Sequence, residues 1–332
     1  MVKANNKAQL IKQEMSECFK QLGFPDLGKH SSIILSEEDS TGHIVMGGLR
    51  FQYDEDYYSR AVVDMVINEE IPSDKVAPLK ELLNRINTDL GCSHYCIIPE
   101  TKKLVYRTSL FVPGDRFPRN KFKKLLSQFF ADYCRLIPLI AKLLAEGGNP
   151  EEIITLLGPN VSAAPKENNP HGKTDYRRLG EGIKRVLAEF GLSVKDETIT
   201  DSSAFVMNRF LDETGRYVLI AFSLNDTGQL YLQMFSPDEV PERVISEAAE
   251  LANMFNSISY VNHILIQPER NFVSLFTGVI LDPVLDEDEL KYQLMILISE
   301  GCKYLPLFYG NHPVNTNPKE HLKALMAGCC VK

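Results

Sequence analysis

The chain has 332 residues, of which 44% are hydrophobic and 24% are charged, and its formal net charge is −8. This length suits two domains better than one, and the acidic balance argues against nucleic acid as a partner, because nucleic-acid binders need a basic face. The apolar run LIPLIAKLLA contains Lys142 and is too short to span a bilayer, so we predict no membrane segment.

Residues 5–22 have the period of an amphipathic helix, and Gly23 follows them. Glycine is favoured after a helix because it adopts the left-handed cap conformation without strain. The N-terminal residues lack the apolar core of a signal peptide, and the seven cysteines show no disulfide-framework spacing. Together these features favour a cytoplasmic protein with reduced thiols.

The next segments predict three strands, a helix, a hairpin and a long helix. The strands alternate in polarity, with turn residues between them, and the hairpin turns at Pro99-Glu100. The predicted ranges are 31–37, 43–52 and 57–68 for the strands, 73–88 for the helix, 94–107 for the hairpin and 119–143 for the long helix.

The same pattern then recurs about 169 residues later. Unrelated segments of twenty residues would share about one identity, whereas residues 81–100 and 250–269 share eight. These are Glu81/Glu250, Leu82/Leu251, Asn84/Asn253, Asn87/Asn256, His94/His263, Ile97/Ile266, Pro99/Pro268 and Glu100/Glu269. A shift of 168 aligns the first helices and the last helices, including the glycines Gly23 and Gly191.

We therefore predict the α+β class, with two tandem α-β-β-β-α-β-β-α units and antiparallel sheets. Unit 1 covers 1–148 and unit 2 covers 174–310. The Gly-, Pro- and Asn-rich segment 149–173 is typical of a linker, apart from one helical turn at EEIITLL, and 311–332 forms a tail.

This order of elements, the helix LKELLNRIN and the endings CRLIPLI and CKYLPLF resemble the YbjN-like family. That family is described as bacterial sensory transduction regulators and has the fold of type III secretion chaperones. The resemblance implies a module that is used as a homodimer and holds an extended client segment, so two fused copies would form an intramolecular pseudo-dimer. The family has no agreed catalytic residues, so the resemblance transfers none.

The recurring polar residues have structural explanations. Asn87 and Asn256 stand just before their hairpins, and asparagine suits the left-handed conformation that ends a helix. His94 and His263 are predicted to bond backbone groups where their strands begin, and a general base or pH sensor is the alternative.

Cys92, His94 and Cys96 could offer three metal ligands from one strand face. In the second copy, Val261 and Leu265 replace the two cysteines, which indicates core packing instead of metal binding. Motifs for nucleotide, metal or nucleophilic chemistry are missing, so we predict no cofactor, no metal and no enzymatic activity.

The start of the last helix differs between the copies. Unit 2 has carboxylates there, which complement the helix dipole, whereas unit 1 has five cations, which do not. These cations are the candidate site for an anion or an acidic partner: Arg116, Arg119, Lys121, Lys123 and Lys124. A solvated charged surface is the alternative interpretation.

From these patterns we expect a non-enzymatic regulatory or chaperone-like protein that binds a polypeptide partner. The client would add to a sheet edge or lie in an apolar groove. An anion or small-molecule sensor that uses the basic start of the last helix of unit 1 is the alternative. The protein is expected to be a monomer with its two units as a pseudo-dimer, or a homodimer.

Overall fold

A computed structural model describes the chain in two compact units, Met1–Pro165 and Lys166–Lys332. The residues that it describes are 2–24, 32–38, 44–54, 59–114, 116–156, 175–200, 204–211, 217–224, 229–267, 272–281 and 285–308. Most of the predicted linker and the tail lie outside the described residues. So do the two predicted turns between early strands, DSTGH at 39–43 in unit 1 and DETGR at 212–216 in unit 2.

Unit 1 has the predicted order of helices and strands, followed by one more short helix. The elements are α1 (Val2–Gln21), β1 (Ser32–Glu38), β2 (Ile44–Asp54), β3 (Arg60–Glu70), α2 (Val76–Asn87), β4 (Ser93–Ile98), β5 (Lys103–Phe111), α3 (Arg119–Glu146) and α4 (Pro150–Thr155). The helix α4 is the turn expected in the linker, and it packs against α2, with Ile153 buried and an Arg85–Glu151 ion pair at 2.8 Å.

Unit 2 differs from the predicted order by one additional strand, β6. Its elements are α5 (Tyr176–Glu189), β6 (Val194–Ile199), β7 (Ala204–Leu211), β8 (Tyr217–Leu224), β9 (Gln229–Glu239), α6 (Ile245–Ile258), β10 (His263–Ile266), β11 (Phe272–Ile280) and α7 (Glu287–Tyr304). The prediction of three strands after the first helix of unit 2 was wrong because VKDETI is mostly exposed and lacks an apolar alternation.

The two sheets share one strand order. Unit 1 has β1-β2-β3-β5-β4, and the strands β7-β8-β9-β11-β10 of unit 2 have the same neighbours, with β6 added beside β7. Every described pair is antiparallel, which confirms the α+β class. Tandem repetition as the origin of this likeness stays a prediction.

Helices pack on one face of each sheet. In unit 1 the ring of Tyr106 on β5 stacks on Phe129 of α3, with centroids 4.4 Å apart. In unit 2, α7 comes so close to β9 that a Cβ on Gly301 would lie 2.1 Å from Met234 Sδ. Leu, Ile, Val and Phe side chains fill the space between helices and sheet, and this burial supplies the main stabilising term.

The predicted glycine caps of the first helices are confirmed. Gly23 has φ +89° and Gly191 has φ +69°, values that favour glycine. Phe24 N donates to Phe19 O at 3.1 Å, and Leu192 N donates to Leu187 O at 2.9 Å, the long hydrogen bond of a Schellman motif.

Candidate functional site

A row of polar residues crosses the unit 1 sheet on the face opposite the helices. Tyr95 and Tyr106 stack on the helix side, so their strand neighbours His94 and Arg107 point to the opposite face. Arg107 donates twice to Asp64, from Nε to Oδ1 at 2.8 Å and from Nη2 to Oδ2 at 3.1 Å. Both side chains are buried, so this bidentate pair is a fixed part of the sheet.

The row continues on both sides of this ion pair. His94 on β4 pairs in register with Arg107 on β5. On the other side, Arg50 on β2 places its Nη2 3.9 Å from Asp64 Oδ2. Arg50 is the exposed end of the row, with a side chain that is 58% exposed, whereas His94 is buried. Strands β2 to β5 therefore carry His94, Arg107, Asp64 and Arg50 in one line.

Unit 2 has the histidine but not the ion pair. Its corresponding row is His263, Phe276, Gln233 and Ala221, in the same register. The His263 ring lies 5.0 Å from the Phe276 ring, and Gln233 Nε2 donates to Ser274 Oγ at 2.9 Å. The charged row is thus a property of unit 1, and both histidines are buried in their strands.

Cys96 carries a thiol on the same strand as His94. It lies on the same face two residues beyond His94 and has no exposed surface. Burial raises the pKa of its thiol to about 12, against a smaller lowering effect of Arg107. The thiol is therefore protonated at neutral pH, and the row offers no activated nucleophile from this residue.

The recurring asparagines close the outer edges of β4 and β10. Asn87 Nδ2 donates to Tyr95 O at 2.8 Å, and Tyr95 N donates to Asn87 Oδ1 at 2.7 Å. In unit 2, Asn256 Nδ2 donates to Ile264 O at 3.0 Å, and Ile264 N donates to Asn256 Oδ1 at 2.7 Å. Each amide therefore binds the strand as the backbone of a neighbouring strand would.

This geometry corrects the prediction that Asn87 and Asn256 end their helices by a left-handed conformation. Neither has a positive φ, and both side chains are almost fully buried. The sequence pattern could not distinguish the two roles, because the partner strand lies eight residues further along the chain.

Two buried threonines also recur at corresponding positions, although the sequence pattern did not predict them. Thr108 Oγ1 donates to Cys92 O at 2.7 Å, and Thr277 Oγ1 donates to Val261 O at 3.1 Å. Both threonines are buried and hold the segment that leads into the edge strand. Thr108 and Thr277 are also related by the shift of 169, so a comparison of the residues that follow the hairpin turn identifies them.

The outer edge of β1 differs from the corresponding edge of unit 2 and from the asparagine-bound edges of β4 and β10. In unit 2 the corresponding strand, β7, is paired with β6, while within the described residues β1 pairs with β2 alone. The backbone of Tyr95 faces outward to Asn87, and N–H and C=O groups alternate in direction along antiparallel strands. When this alternation is followed through the register of β4, β5, β3 and β2, the backbone N–H and C=O of Ile33 point to β2 and those of Ile34 point outward.

The five predicted basic site residues lie around the start of α3. Arg119 forms an ion pair with Glu14 of α1, which lowers the pKa of the Glu14 carboxyl through that hydrogen bond. The remaining four are Arg116, which is exposed, and Lys121, Lys123 and Lys124, which are half-buried. The N-cap residue Pro118 gives α3 no side-chain hydrogen bond, whereas Asp286 caps α7 through Glu289 N at 3.1 Å.

A buried carboxyl group lies farther along α3. Asp132 accepts from Arg135 Nη2 at 2.8 Å, and burial raises its pKa to about 6 against the lowering effect of Arg135. It lies close enough to Tyr106 to help raise the pKa of that phenol, whose main cause is burial. This group titrates near physiological pH as part of the helix–sheet core.

The described residues contain no group of three or more His, Cys, Asp or Glu side chains placed to hold a metal ion. Cys92, His94 and Cys96 therefore do not form such a group. Cys92 precedes β4, whereas His94 and Cys96 lie on it. In the described part of the chain, none of the helices is both long and apolar enough to cross a bilayer.

Comparison with known proteins adds no relative: no family model, no curated protein and no solved structure matches the chain. The resemblance to the YbjN-like family therefore stays a prediction.

Proposed function

We propose that this protein is a non-enzymatic binding protein of regulatory or chaperone-like type, which holds an extended polypeptide segment as an added strand beside β1. The observation that carries the proposal is the difference between corresponding edges. Unit 2 has a strand of its own beside β7, whereas among the described residues of unit 1 the outer edge of β1 is unpaired. Residues 25–31, which correspond in sequence to β6, lie outside the described residues.

The edges of β4 and β10 support this assignment. Asn87 and Asn256 already bind the outward backbone groups of Tyr95 and Ile264, so a strand added there would have to displace two short hydrogen bonds. At β1, the outward N–H and C=O of Ile34 would pair with the client directly. Because β6 runs antiparallel to β7, the client is expected to run antiparallel to β1.

The polar groups support binding over catalysis. Arg107 and Asp64 bind each other, and the Cys96 thiol is held protonated by burial. The intramolecular pseudo-dimer and the cytoplasmic location stay predictions that this proposal does not require.

Two proline variants test the proposal. A co-purified polypeptide is first identified by mass spectrometry, and a synthetic peptide of its bound segment is titrated against the full chain. Ile34→Pro removes one outward donor and should weaken binding about tenfold or more with little loss of stability. Leu35→Pro removes a donor to β2 and should instead destabilise unit 1.

Two results would refute the proposal. One is peptide binding to the Ile34→Pro variant with wild-type affinity, and the other is a wild-type protein that retains no polypeptide under several conditions.

An anion sensor at the start of α3 is the second candidate, favoured by the lack of a side-chain cap on a helix start that carries cations. Inorganic phosphate and nucleotides should then raise the melting temperature of the wild type but not that of a Lys121→Glu/Lys123→Glu variant. Equal responses of both proteins would assign these lysines to the solvated surface.

A further inference from the structure

In each unit, an ion pair joins the first helix to the first turn of the last helix. In unit 1 the pair is Arg119 on α3 with Glu14 on α1. In unit 2, Arg185 Nη2 on α5 donates to Glu287 Oε1 on α7 at 2.6 Å. Under the shift of 168, Arg119 and Glu287 occupy corresponding positions. At the first turn of the last helix, the ion pair is therefore present twice with its charges reversed. A second ion pair of unit 2, Lys291 Nζ with Glu189 Oε2 at 2.8 Å, lies further along α7 and has the same polarity as the pair in unit 1.

The partner on the first helix moves by one turn between the units. Glu14 corresponds to Gly182, and Arg185 corresponds to Glu17. A Cβ at Gly182 would lie 2.8 Å from Leu285 Cδ2 and 3.6 Å from Glu287 Oε1, so the start of α7 approaches α5 closely at this glycine. A side chain at position 182 would contact Leu285. The ion-pair partner of Glu287 is therefore Arg185, three residues further along α5.

The apolar faces of the two first helices are too alike to identify each helix. Both pack with i, i+4, i+7, i+8 spacing, and every member is at most 4% exposed. The corresponding residues are Ile11/Leu179, Met15/Ile183, Cys18/Val186 and Phe19/Leu187. Protein cores accept such exchanges of apolar side chains with modest loss, so packing alone discriminates weakly.

We propose that the reversed ion pairs make each first helix specific for its own unit. If α1 docked on unit 2, Glu14 would come near Glu287, and if α5 docked on unit 1, Arg185 would come near Arg119. At the first turn of the last helix, either exchange places like charges together where the native arrangement has an ion pair. The Lys291–Glu189 pair does not add to this selection, because its polarity matches unit 1. The side chains are 33% to 57% exposed, so the pairs add little to stability, and their effect lies in rejecting the wrong helix.

Charge-exchange variants of the full chain test this inference. Glu14→Arg/Arg119→Glu keeps an ion pair within unit 1 but gives both units the same polarity at the first turn of the last helix, so exchange is no longer penalised there. The quadruple variant adds Arg185→Glu/Glu287→Arg, which makes the polarities opposite again. Each protein is unfolded in urea and refolded at several concentrations, and the fraction that recovers the elution volume and circular dichroism of its never-unfolded form is measured.

We expect the double variant to recover about fivefold less native protein than the wild type, with the remainder in exchanged or associated species. The quadruple variant should recover as well as the wild type. If the double variant refolds like the wild type, or if the quadruple variant recovers no better than the double variant, the ion pairs do not select the helix.

Discussion

The strongest single prediction concerns Asn87, whose amide closes the edge of β4. Asn87→Ala removes hydrogen bonds of 2.8 Å and 2.7 Å and leaves the N–H and C=O of Tyr95 without this partner. Tyr95 is 1% exposed, so water cannot easily replace the amide. An unsatisfied buried polar group costs about 1–3 kcal/mol, which gives a loss of about 2–6 kcal/mol for the two groups.

Urea denaturation together with hydrogen exchange at the Tyr95 amide measures this loss. Asn256→Ala is the matched variant, because it removes the same two hydrogen bonds from Ile264 in unit 2. The two variants should therefore destabilise different units, and only Asn87→Ala should speed exchange at Tyr95. Thr88→Ala is the local control, because it removes one partly exposed hydrogen bond to Arg85 O.

The reasoning would be refuted if Asn87→Ala lowered the free energy of unfolding of unit 1 no more than Thr88→Ala does. It would also fail if exchange at Tyr95 stayed at the wild-type rate, since the amide would then not protect that N–H.

Three further predictions follow from buried polar groups. The pKa of Asp132 is about 6 in the folded chain against about 3.9 unfolded, so the folded state binds the extra proton and stability should rise as pH falls from about 7 to about 4. Asp132→Asn should flatten that dependence and raise stability at pH 7 by up to about 3 kcal/mol, as urea titrations at several pH values would show; a dependence that survives the substitution would contradict the assignment. Arg107→Ala should destabilise unit 1 by about 3–5 kcal/mol, because it leaves the buried Asp64 carboxylate without its bidentate partner. The double variant Arg107→Phe/Asp64→Gln copies Phe276 and Gln233 of unit 2 and should lose less than half as much in chemical denaturation; an equal loss would show that the ion pair itself does not matter. Thr108→Val and Thr277→Val should each cost about 1–2 kcal/mol in thermal or urea unfolding, since each removes one buried hydrogen bond at nearly constant volume, and a neutral result in both units would mean that the carbonyls find another donor.

Local sequence patterns determined the scaffold of this protein. The 3.6-residue period of the first helices, the glycines that cap them and the turn at Pro99 depend on residues near each other in the chain, so the sequence predicts them directly. The shift of about 169 residues predicted two units alike, and the sheets have the same strand neighbours, which short connections and antiparallel pairing favour.

Only the tertiary structure decided what the polar residues do. Arg107 meets Asp64 across 43 residues, and Arg119 meets Glu14 across 105, so no local period indicates either pair. The strand β6 is missed for the same reason, because its exposed, charged residues become a strand by pairing with β7, not through an apolar pattern of their own. Periodicity specifies which face of an element is buried, whereas the register between distant strands and helices specifies which polar groups meet.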